Sequence, residues 1–167
     1  CFASAVSYCR ERGIPVRVIG RGSNLLVRDG GIRGVVIHPS KGAFGEVSVE
    51  GDTVTAGAGV RFKKLASVEV KAGLTGFEWM EGIPGNVGGG LRMNAGAMGA
   101  DTFDQVVEVT FLDEDGEIRS RNRDAIEAFY RNVPELRRSF ALNARFKGSA
   151  AELGTIQKKM ETSVAKR

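Results

Sequence analysis

The residues of this sequence that could do chemistry lie in two glycine-rich segments, Gly20–Val27 and Gly82–Gly99. The first reads G-R-G-S-N-L-L-V and follows an apolar run. Glycine accepts positive φ and lets the backbone approach a ligand, and successive N–H groups in such a turn can face one anion. Ser23 and Asn24 add side-chain donors that suit the oxygens of a diphosphate. We therefore predict that the first segment binds a diphosphate, with a plain hairpin turn as the alternative.

The second segment combines many glycines with apolar residues. It reads G-I-P-G-N-V-G-G-G-L-R-M-N-A-G-A-M-G and holds seven glycines. A flexible linker would be richer in serine and poorer in isoleucine, valine, leucine and methionine. We predict a winding backbone pressed against a large flat ligand, with Asn94 free to bond the edge of its ring. The alternative is a disordered glycine loop.

Neither segment matches the commonest nucleotide-binding fingerprints. The Rossmann fingerprint requires a third glycine that opens a helix, and Leu25 stands there instead. No Gly-Lys-Ser or Gly-Lys-Thr occurs, so a P-loop is excluded. A further stretch, Thr55–Phe62, leads glycines into a predicted helix, whose N-terminus could receive a phosphate. A tight strand-to-helix connection is the interpretation that we favour there.

The composition restricts the class of protein. The chain has 42% hydrophobic and 26% charged residues, the proportions of a soluble globular protein. No apolar run reaches the ~20 residues that span a bilayer, so we expect a cytoplasmic protein without membrane contact. The net charge of +4 suits an anionic ligand, but the basic residues are dispersed and no nucleic-acid-binding motif occurs. Cys1 and Cys9 lack a CxxC or histidine partner, so we expect neither a metal site nor a disulfide framework.

Short strands and helices must position these segments. Alternating and helical spacings of apolar residues predict an α+β fold with two lobes that meet near residue 100. The predicted strands are Val16–Ile19, Leu25–Val27, Val35–Ile37, Val47–Val49, Val54–Ala56, Val106–Leu112, Glu117–Ser120 and Phe140–Phe146. The predicted helices run over about 2–9, 60–72, 123–129 and 150–166, the last with Leu153, Ile156, Met160 and Val164 on one face. Because both ends of the chain fall in uncapped helical patterns, we expect a fragment that is truncated at both ends.

Four stretches of the sequence resemble a known flavoprotein superfamily. They are G-R-G-S-N-L-L-V-R-D-G-G-I-R-G-V-V-I at Gly20–Ile37, A-G-L-T-G-F-E-W-M-E-G-I-P-G-N-V-G-G at Ala72–Gly89, L-R-M-N-A-G-A at Leu91–Ala97 and F-Y-R at Phe129–Arg131. Their order and spacing cover nearly the whole chain and resemble the FAD-binding domain of the vanillyl-alcohol oxidase/p-cresol methylhydroxylase superfamily. Within it, they are similar to the family of UDP-N-acetylenolpyruvoylglucosamine reductases.

The resemblance implies that FAD lies between two lobes, residues 1–100 and residues 101–167. The first glycine segment would hold the pyrophosphate, and the second would line the flavin. Carried over residue by residue, the cofactor-binding set is Gly20, Arg21, Gly22, Ser23, Asn24, Leu25, Gly82, Ile83, Pro84, Gly85, Gly88, Gly89, Asn94, Gly96 and Ala97. The family also implies that NADPH reduces the flavin. The flavin then passes hydride to UDP-N-acetylglucosamine enolpyruvate, which gives UDP-N-acetylmuramate for peptidoglycan synthesis.

The F-Y-R motif implies a catalytic role for Arg131 beside the flavin. A guanidinium can hold the enolpyruvyl carboxylate through two parallel hydrogen bonds and stabilise the negative charge that develops when hydride adds. The family's proton donor, a serine, and its glutamate partner lie in a C-terminal substrate domain. We expect that domain to be absent from this chain.

Three residues depart from the pattern of the family. Met98 stands in place of a tyrosine, Asn86 in place of a threonine or serine, and Val133 in place of a serine. These changes concern contacts near the flavin or the substrate and leave the glycine framework intact. Two alternatives to the reductase remain: an oxidase of the same superfamily, and a truncated relative that binds FAD without catalysis.

Overall fold

The computed structural model describes residues 2–165, in which short strands alternate with short helices. The helices are α1 (Phe2–Glu11), α2 (Phe62–Lys71), α3 (Val87–Met93), α4 (Pro134–Arg138) and α5 (Leu153–Ala165). The strands are β1 (Val16–Val18), β2 (Val35–Ile37), β3 (Val47–Glu50), β4 (Thr53–Gly57), β5 (Leu74–Thr75), β6 (Gly96–Ala97), β7 (Ala100–Asp101), β8 (Val106–Leu112), β9 (Ile118–Asn122), β10 (Phe140–Lys147) and β11 (Ser149–Ala150). This mixture confirms the α+β class.

Five of the strands form one antiparallel sheet in the order β3-β4-β10-β8-β9. Apolar residues of its inner strands build the core, where Phe111 is 1% exposed and Phe146 is fully buried. The same cluster contains Phe62 and Leu65 of α2 and Leu91 of α3. Each large side chain buried in this way stabilises the fold by roughly 1.5–3 kcal/mol. The sheet therefore supports α2 and also α3, which lies inside the second glycine segment.

The boundary between two lobes predicted near residue 100 does not coincide with a break in this sheet. Strand β4 precedes residue 100 and β10 follows it, yet the two are paired, with Val54 opposite Phe146. Strands β1 and β2 form a separate parallel pair, in which Val16 is opposite Val35. Among the described residues, no strand pairing crosses the region around residue 41. The strand pairing is therefore interrupted near residue 41 and continuous across residue 100. The sequence could not show this, because alternating runs alone do not tell which strands pair.

The predicted strand at Leu25–Val27 is wrong, because this run lies in the connection from β1 to β2. The two strands are parallel, so the chain must cross from the end of one to the start of the other. The connection carries the first glycine segment, and Leu26 at its centre is 95% exposed. A run of three apolar residues cannot form a strand unless a neighbouring strand accepts its backbone hydrogen bonds.

Helix α3 forms inside the second glycine segment, where the composition had predicted a winding backbone. Glycine disfavours helices, so the sequence V-G-G-G-L-R-M gives little helical signal. Tertiary packing explains the glycines. A Cβ on Gly90 would lie 2.0 Å from Cζ of Phe62, and one on Gly88 would lie 2.9 Å from Cβ of Ala58. The helix therefore packs closer to its neighbours than any other residue would allow.

The remaining helical predictions hold in part. α1 and α2 form where expected, and Gly73 follows α2 with φ +71°. The helix predicted over 123–129 does not form, and this stretch contains a 3₁₀ turn at Arg123–Ala125. Seven residues are too few to sustain an α-helix by their own propensity. In α5 only Ile156 is fully buried, and Leu153 and Val164 are more than half exposed. The predictions that concern Cys1 and the last turn beyond residue 165 lie outside the described residues.

None of the helices within residues 2–165 combines the length and the apolar composition required to cross a bilayer.

Candidate cofactor site

The two glycine segments line one cavity of about 930 Å³, which we call the loop cavity. Its lining brings together most of the predicted site residues: Gly20, Arg21, Gly22, Ser23, Asn24, Leu25, Gly82, Ile83, Pro84, Gly85, Gly89, Gly96, Ala97 and Arg131. Gly88 and Asn94 are not part of this lining. Within the described residues, the charged side chains that line it are Arg21, Arg92 and Arg131, without a carboxylate. The loop cavity is therefore electropositive and suited to an anionic ligand.

The side chain of Ser23 connects the two glycine segments. Its hydroxyl donates to the carbonyl oxygen of Pro84 at 3.0 Å. The following residue, Gly85, has φ +138°, and a Cβ there would lie 3.3 Å from Oγ of Ser23. We predicted that the Ser23 hydroxyl donates to a phosphate, but here it donates to Pro84 instead. The hydroxyl oxygen can still accept a hydrogen bond.

A two-residue turn presents Arg131 at the wall of the loop cavity. Phe129 and Asn132 exchange backbone hydrogen bonds of 2.8 and 3.2 Å, with Tyr130 and Arg131 at the tip. Arg131 has φ +57°, a left-handed conformation that costs a residue other than glycine roughly 1–2 kcal/mol. Its side chain forms no ion pair with the described residues, and its Cζ lies 5.5 Å from the centre of the Tyr130 ring. Backbone strain of this kind is common at functional sites.

Asn94 does not face the cavity, which corrects the prediction that its amide bonds the edge of a flat ring. The side chain belongs to a residue that is only 6% exposed. Oδ1 accepts from the backbone N–H of Phe103 at 3.1 Å, and Nδ2 donates to the carbonyl of Phe129 at 3.3 Å and to Asp101 at 3.5 Å. Asn94 ends α3 with φ +39°. It therefore braces the turn that carries Arg131.

The stretch Thr55–Phe62 is a tight connection between β4 and α2, as the favoured interpretation has it. A Cβ on Gly57 would lie 2.2 Å from the carbonyl oxygen of Ala43, and one on Gly59 would lie 2.4 Å from that of Pro39. The carbonyl oxygen of Ala58 accepts from the N–H of Gly88 at 2.8 Å. The backbone of Gly88 is thus used for packing.

A second cavity of about 770 Å³, which we call the arginine cavity, adjoins the first. Five arginines and no acidic residue of the described chain line it: Arg17, Arg28, Arg92, Arg137 and Arg138. Nη1 of Arg92 donates to the carbonyl oxygens of Leu136 at 2.9 Å and Arg137 at 3.0 Å. Partial burial, followed by the charges of Arg137 and Arg17, lowers the pKa of Arg92. Glu114 lies 3.9 Å from Arg138 at the exposed side, and no carboxylate of the described residues pairs with Arg92.

The wall between the two cavities contains two polar side chains, those of Asn86 and Arg92. Asn86 is 5% exposed, and its Oδ1 has no hydrogen-bond partner among the described residues. The family motif did not select either residue as a site residue. Asn86 gave a signal only as a departure from threonine or serine, and Arg92 gave none, because an isolated arginine in a helix has no diagnostic spacing.

Glu69 is a buried titratable group that lies apart from the lining of both cavities. It is fully buried in α2, and neither of its carboxyl oxygens has a hydrogen-bond partner among the described residues. Burial raises the pKa of Glu69 to about 10, with a smaller contribution from the charge of Glu78. The carboxyl group is therefore neutral at pH 7, and it concerns stability rather than ligand binding.

Comparison with known proteins agrees with the geometry. A family model described as "FAD binding domain" matches residues 2–121. A curated relative from Bradyrhizobium sp. (strain ORS 278), named UDP-N-acetylenolpyruvoylglucosamine reductase, is 45% identical over 147 residues, which are 88% of this chain and 48% of that protein. The chain spans about half the length of the curated relatives that it matches.

Two solved structures show where the fold recurs. The UDP-N-acetylenolpyruvylglucosamine reductase of Thermus caldophilus matches with a TM-score of 0.85 at 29% identity, over 97% of this chain and 59% of that one. Phl p 4, a grass pollen allergen with glucose dehydrogenase activity, matches with a TM-score of 0.69 at 18% identity, over 91% of this chain and 33% of that one. The second likeness concerns the fold alone.

Proposed function

Because the chain belongs to the FAD binding domain family, we propose that its two cavities hold FAD in an NADPH-linked reductase of a UDP-sugar enolpyruvyl ether. The substrate would be UDP-N-acetylglucosamine enolpyruvate and the product UDP-N-acetylmuramate, a precursor of peptidoglycan. The observation that carries this proposal is the loop cavity, where both glycine segments and Arg131 meet. The curated relative with 45% identity bears the name of this reductase.

The residues present fit FAD. The loop cavity has the size of small-molecule sites, which range over about 300–1,000 Å³. Its lining has the glycines that allow close backbone approach, arginines for the diphosphate, and an unpaired amide oxygen on Asn86. FAD would supply a carrier that accepts two electrons from NADPH and returns them as hydride.

The proposed division of labour follows the two segments. Gly20, Arg21, Gly22, Ser23, Asn24 and Leu25 would hold the diphosphate. Gly82, Ile83, Pro84, Gly85, Gly89, Gly96 and Ala97 would line the flavin. Gly88 and Asn94 would support this lining from behind, because their polar groups bond to Ala58, Phe103 and Phe129. In this proposal FAD spans the small lobe that contains β1 and β2 and the larger lobe built on the five-stranded sheet.

Arg131 would bind the carboxylate of the enolpyruvyl group. Its guanidinium has no ionic partner among the described residues, so binding an anion breaks no existing pair. Two parallel N–H···O bonds would fix the carboxylate and stabilise the charge that develops as hydride adds at the far carbon. Ser23 is the one hydroxyl side chain in the lining of the loop cavity within residues 2–165, and its proton is engaged by the carbonyl oxygen of Pro84. The family resemblance assigns the proton donor to a serine of a C-terminal substrate domain. We therefore expect the proton donor to come from outside these residues.

The full-length gene product is the right material for the test. It should bind FAD and oxidise NADPH only when UDP-N-acetylglucosamine enolpyruvate is present, and Arg131→Met should keep FAD while losing at least about a hundredfold in kcat. Substrate-independent oxygen consumption would favour the oxidase of the same superfamily. Bound FAD without turnover would favour the non-catalytic relative, and absence of FAD binding would contradict the proposal as a whole.

We also propose that the protein acts in the cytoplasm and contributes to cell-wall synthesis and, through it, to cell shape, division and the cell cycle. The supporting observations are the sequence composition and the relatives' names. Localisation of a fluorescent fusion and the peptidoglycan content of a depleted strain would test this.

A further inference from the structure

The wall between the loop cavity and the arginine cavity has an unusual composition. The residues that line both cavities are Val18, Ile19, Gly20, Leu25, Asn86, Gly89 and Arg92. Only Asn86 and Arg92 among them have polar side chains. A ligand that occupies both cavities must pass these two groups.

Asn86 is held in a place where its amide oxygen lacks a donor. Its backbone carbonyl accepts from the N–H of Gly90 at 3.0 Å, and the next N–H, that of Val87, donates to Val60 at 2.8 Å. A Cβ on Gly20 would lie 3.6 Å from three atoms of the Asn86 side chain, so the first glycine loop packs on the amide. Buried side-chain acceptors nearly always have a partner, and this one has none among the described residues. Oδ1 of Asn86 is therefore free to accept a hydrogen bond from a ligand.

The guanidinium of Arg92, in the same wall between the cavities, has no anionic partner among the described residues. Both of its hydrogen bonds are made by Nη1, to the backbone carbonyls of Leu136 and Arg137 in α4. Its neighbours in the arginine cavity, Arg17 and Arg137, are also cations, and burial and these charges lower its pKa. The guanidinium is thus oriented by α4 while its charge stays without a counter-ion in the lining.

We propose that Asn86 and Arg92 bind the middle of the dinucleotide, where a phosphate and a sugar hydroxyl are adjacent. Arg92 donates to a phosphate oxygen, and Asn86 accepts from a hydroxyl of the neighbouring ribityl or ribose. A ligand here must bring one anion and one donor within a few ångströms, and a sugar phosphate has both. This proposal rests on the proposed function, since FAD is the dinucleotide that it names, while NADPH shares the same chemistry.

The first experiment uses Asn86→Ala in the full-length gene product. We expect FAD affinity, measured by quenching of flavin fluorescence after removal and readdition of FAD, to fall about fivefold to tenfold. The melting temperature of the apo protein should stay level or rise, because the variant removes an unpaired buried amide. A role in folding alone would give the opposite result: a lower melting temperature and unchanged FAD affinity.

The second experiment uses Arg92→Met, with Arg145→Met as the control. Arg145 lines neither cavity, and its side chain is 46% exposed and lies 3.9 Å from Glu108. We expect Arg92→Met to weaken FAD binding by about tenfold to a hundredfold and to reduce its salt dependence, while riboflavin, which lacks phosphate, binds as before. The control should change FAD affinity less than about twofold.

The results separate this inference from the proposed function. If the unmodified protein binds no FAD, both are wrong. If it binds FAD and the Asn86 and Arg92 variants bind it equally well, only the inference is wrong. Loss of NADPH affinity with unchanged FAD affinity would also overturn it, because the wall would then serve the other dinucleotide.

Discussion

The two glycine segments have similar compositions but different structures. Residues 21–34, which contain most of the first segment, are all exposed, and their backbone hydrogen bonds are local: Leu25 N–H donates to Gly22 at 3.2 Å and Gly31 N–H to Arg28 at 2.8 Å. The second segment contains a helix whose first N–H groups donate to Val60 and Ala58, each at 2.8 Å. Glycine in the first segment provides backbone freedom. In the second it provides space, because Gly90 leaves room for the ring of Phe62.

This difference teaches that glycine content alone does not distinguish a ligand loop from a packed helix. In the first segment an added methyl group meets open space, as at Gly22, and the cost lies in the backbone, where φ is +72°. At Gly88 and Gly90 of the second segment the same group meets atoms of Ala58 and Phe62. Substitutions at matched positions therefore test the comparison directly.

The largest effect is expected for Gly90→Ala, with Gly89→Ala as its matched control. The Cβ at position 90 would overlap Phe62, so the free energy of unfolding should fall by about 3 kcal/mol, although alanine favours helices. Position 89 has nothing within 4 Å, so its alanine should be neutral or stabilise by up to about 1 kcal/mol. Urea unfolding of the apo full-length gene product measures both. Equal effects would mean that α3 is not packed as described.

The next effect concerns Glu69, whose helix α2 packs against the turn that leads into the second segment. Its pKa is about 10 in the folded state, above the ordinary value of 4.5. Below about pH 4.5 both states are protonated. As pH rises further, only the unfolded state releases its proton, so stability falls until the pH reaches the folded value.

We therefore expect Glu69→Met to be more stable than the unmodified protein by about 2–3 kcal/mol at pH 8, because the buried carboxyl disappears. The difference should shrink towards pH 5, by on the order of 1 kcal/mol for each pH unit. Thermal unfolding from pH 5 to pH 9 tests this, and Glu81→Gln, at a partly exposed carboxylate paired with Lys63, provides the control. A difference that does not change with pH would show that Glu69 ionises normally.

A smaller effect is expected for Asn94→Gly. Glycine keeps the left-handed backbone at this position and removes the side-chain bonds to Phe103, Phe129 and Asp101. The turn that presents Arg131 loses its brace, so kcat should fall about tenfold while FAD affinity stays within about twofold. Asn94→Asp keeps the acceptor oxygen and loses the amide donor, so its kcat should lie between those of Asn94→Gly and the unmodified protein. A loss of FAD affinity that matches the loss of kcat would instead show that Asn94 contacts FAD.

The smallest effect is expected for Ser23→Ala, which removes the bond from the first segment to Pro84. Since this bond is exposed, the free energy of unfolding should change by less than about 1 kcal/mol. Amide hydrogen exchange should become faster at residues 21–25 and stay unchanged at residues 87–91. Ser23→Thr, which retains a hydroxyl, is the control. Faster exchange in both segments would show that the two are not independent.

The sequence predicts the elements whose signal is local. β8 and β10 alternate apolar and polar residues, β9 returns after the turn at Asp113–Gly116, and α2 combines an apolar stripe with Gly73 after its end, so all four form close to where they were expected. The chemistry of the glycine segments, together with the family resemblance, indicated most of the residues of these segments that line the loop cavity, and their binding of a cofactor stays a prediction. These features depend on residues that are near one another in the chain.

The features that were missed depend on contacts between distant residues. α3 requires the ring of Phe62 beside Gly90, and the exposed run Leu25–Val27 lacks a partner strand. Asn86 becomes notable only because Gly20 packs against it and leaves its oxygen without a donor. No pattern within a short window contains this information.

The position of β10 in the sheet has a consequence for the order in which the chain can fold. β10 is the central strand, with β4 on one side and β8 on the other, although it comes last of the five in the sequence. While the ribosome is still adding residues before Phe140, the pairs β3-β4 and β8-β9 each present an unpaired edge. The sheet can close only after Lys147 has left the exit tunnel, so this chain has a high contact order and is exposed to misassembly late in its synthesis.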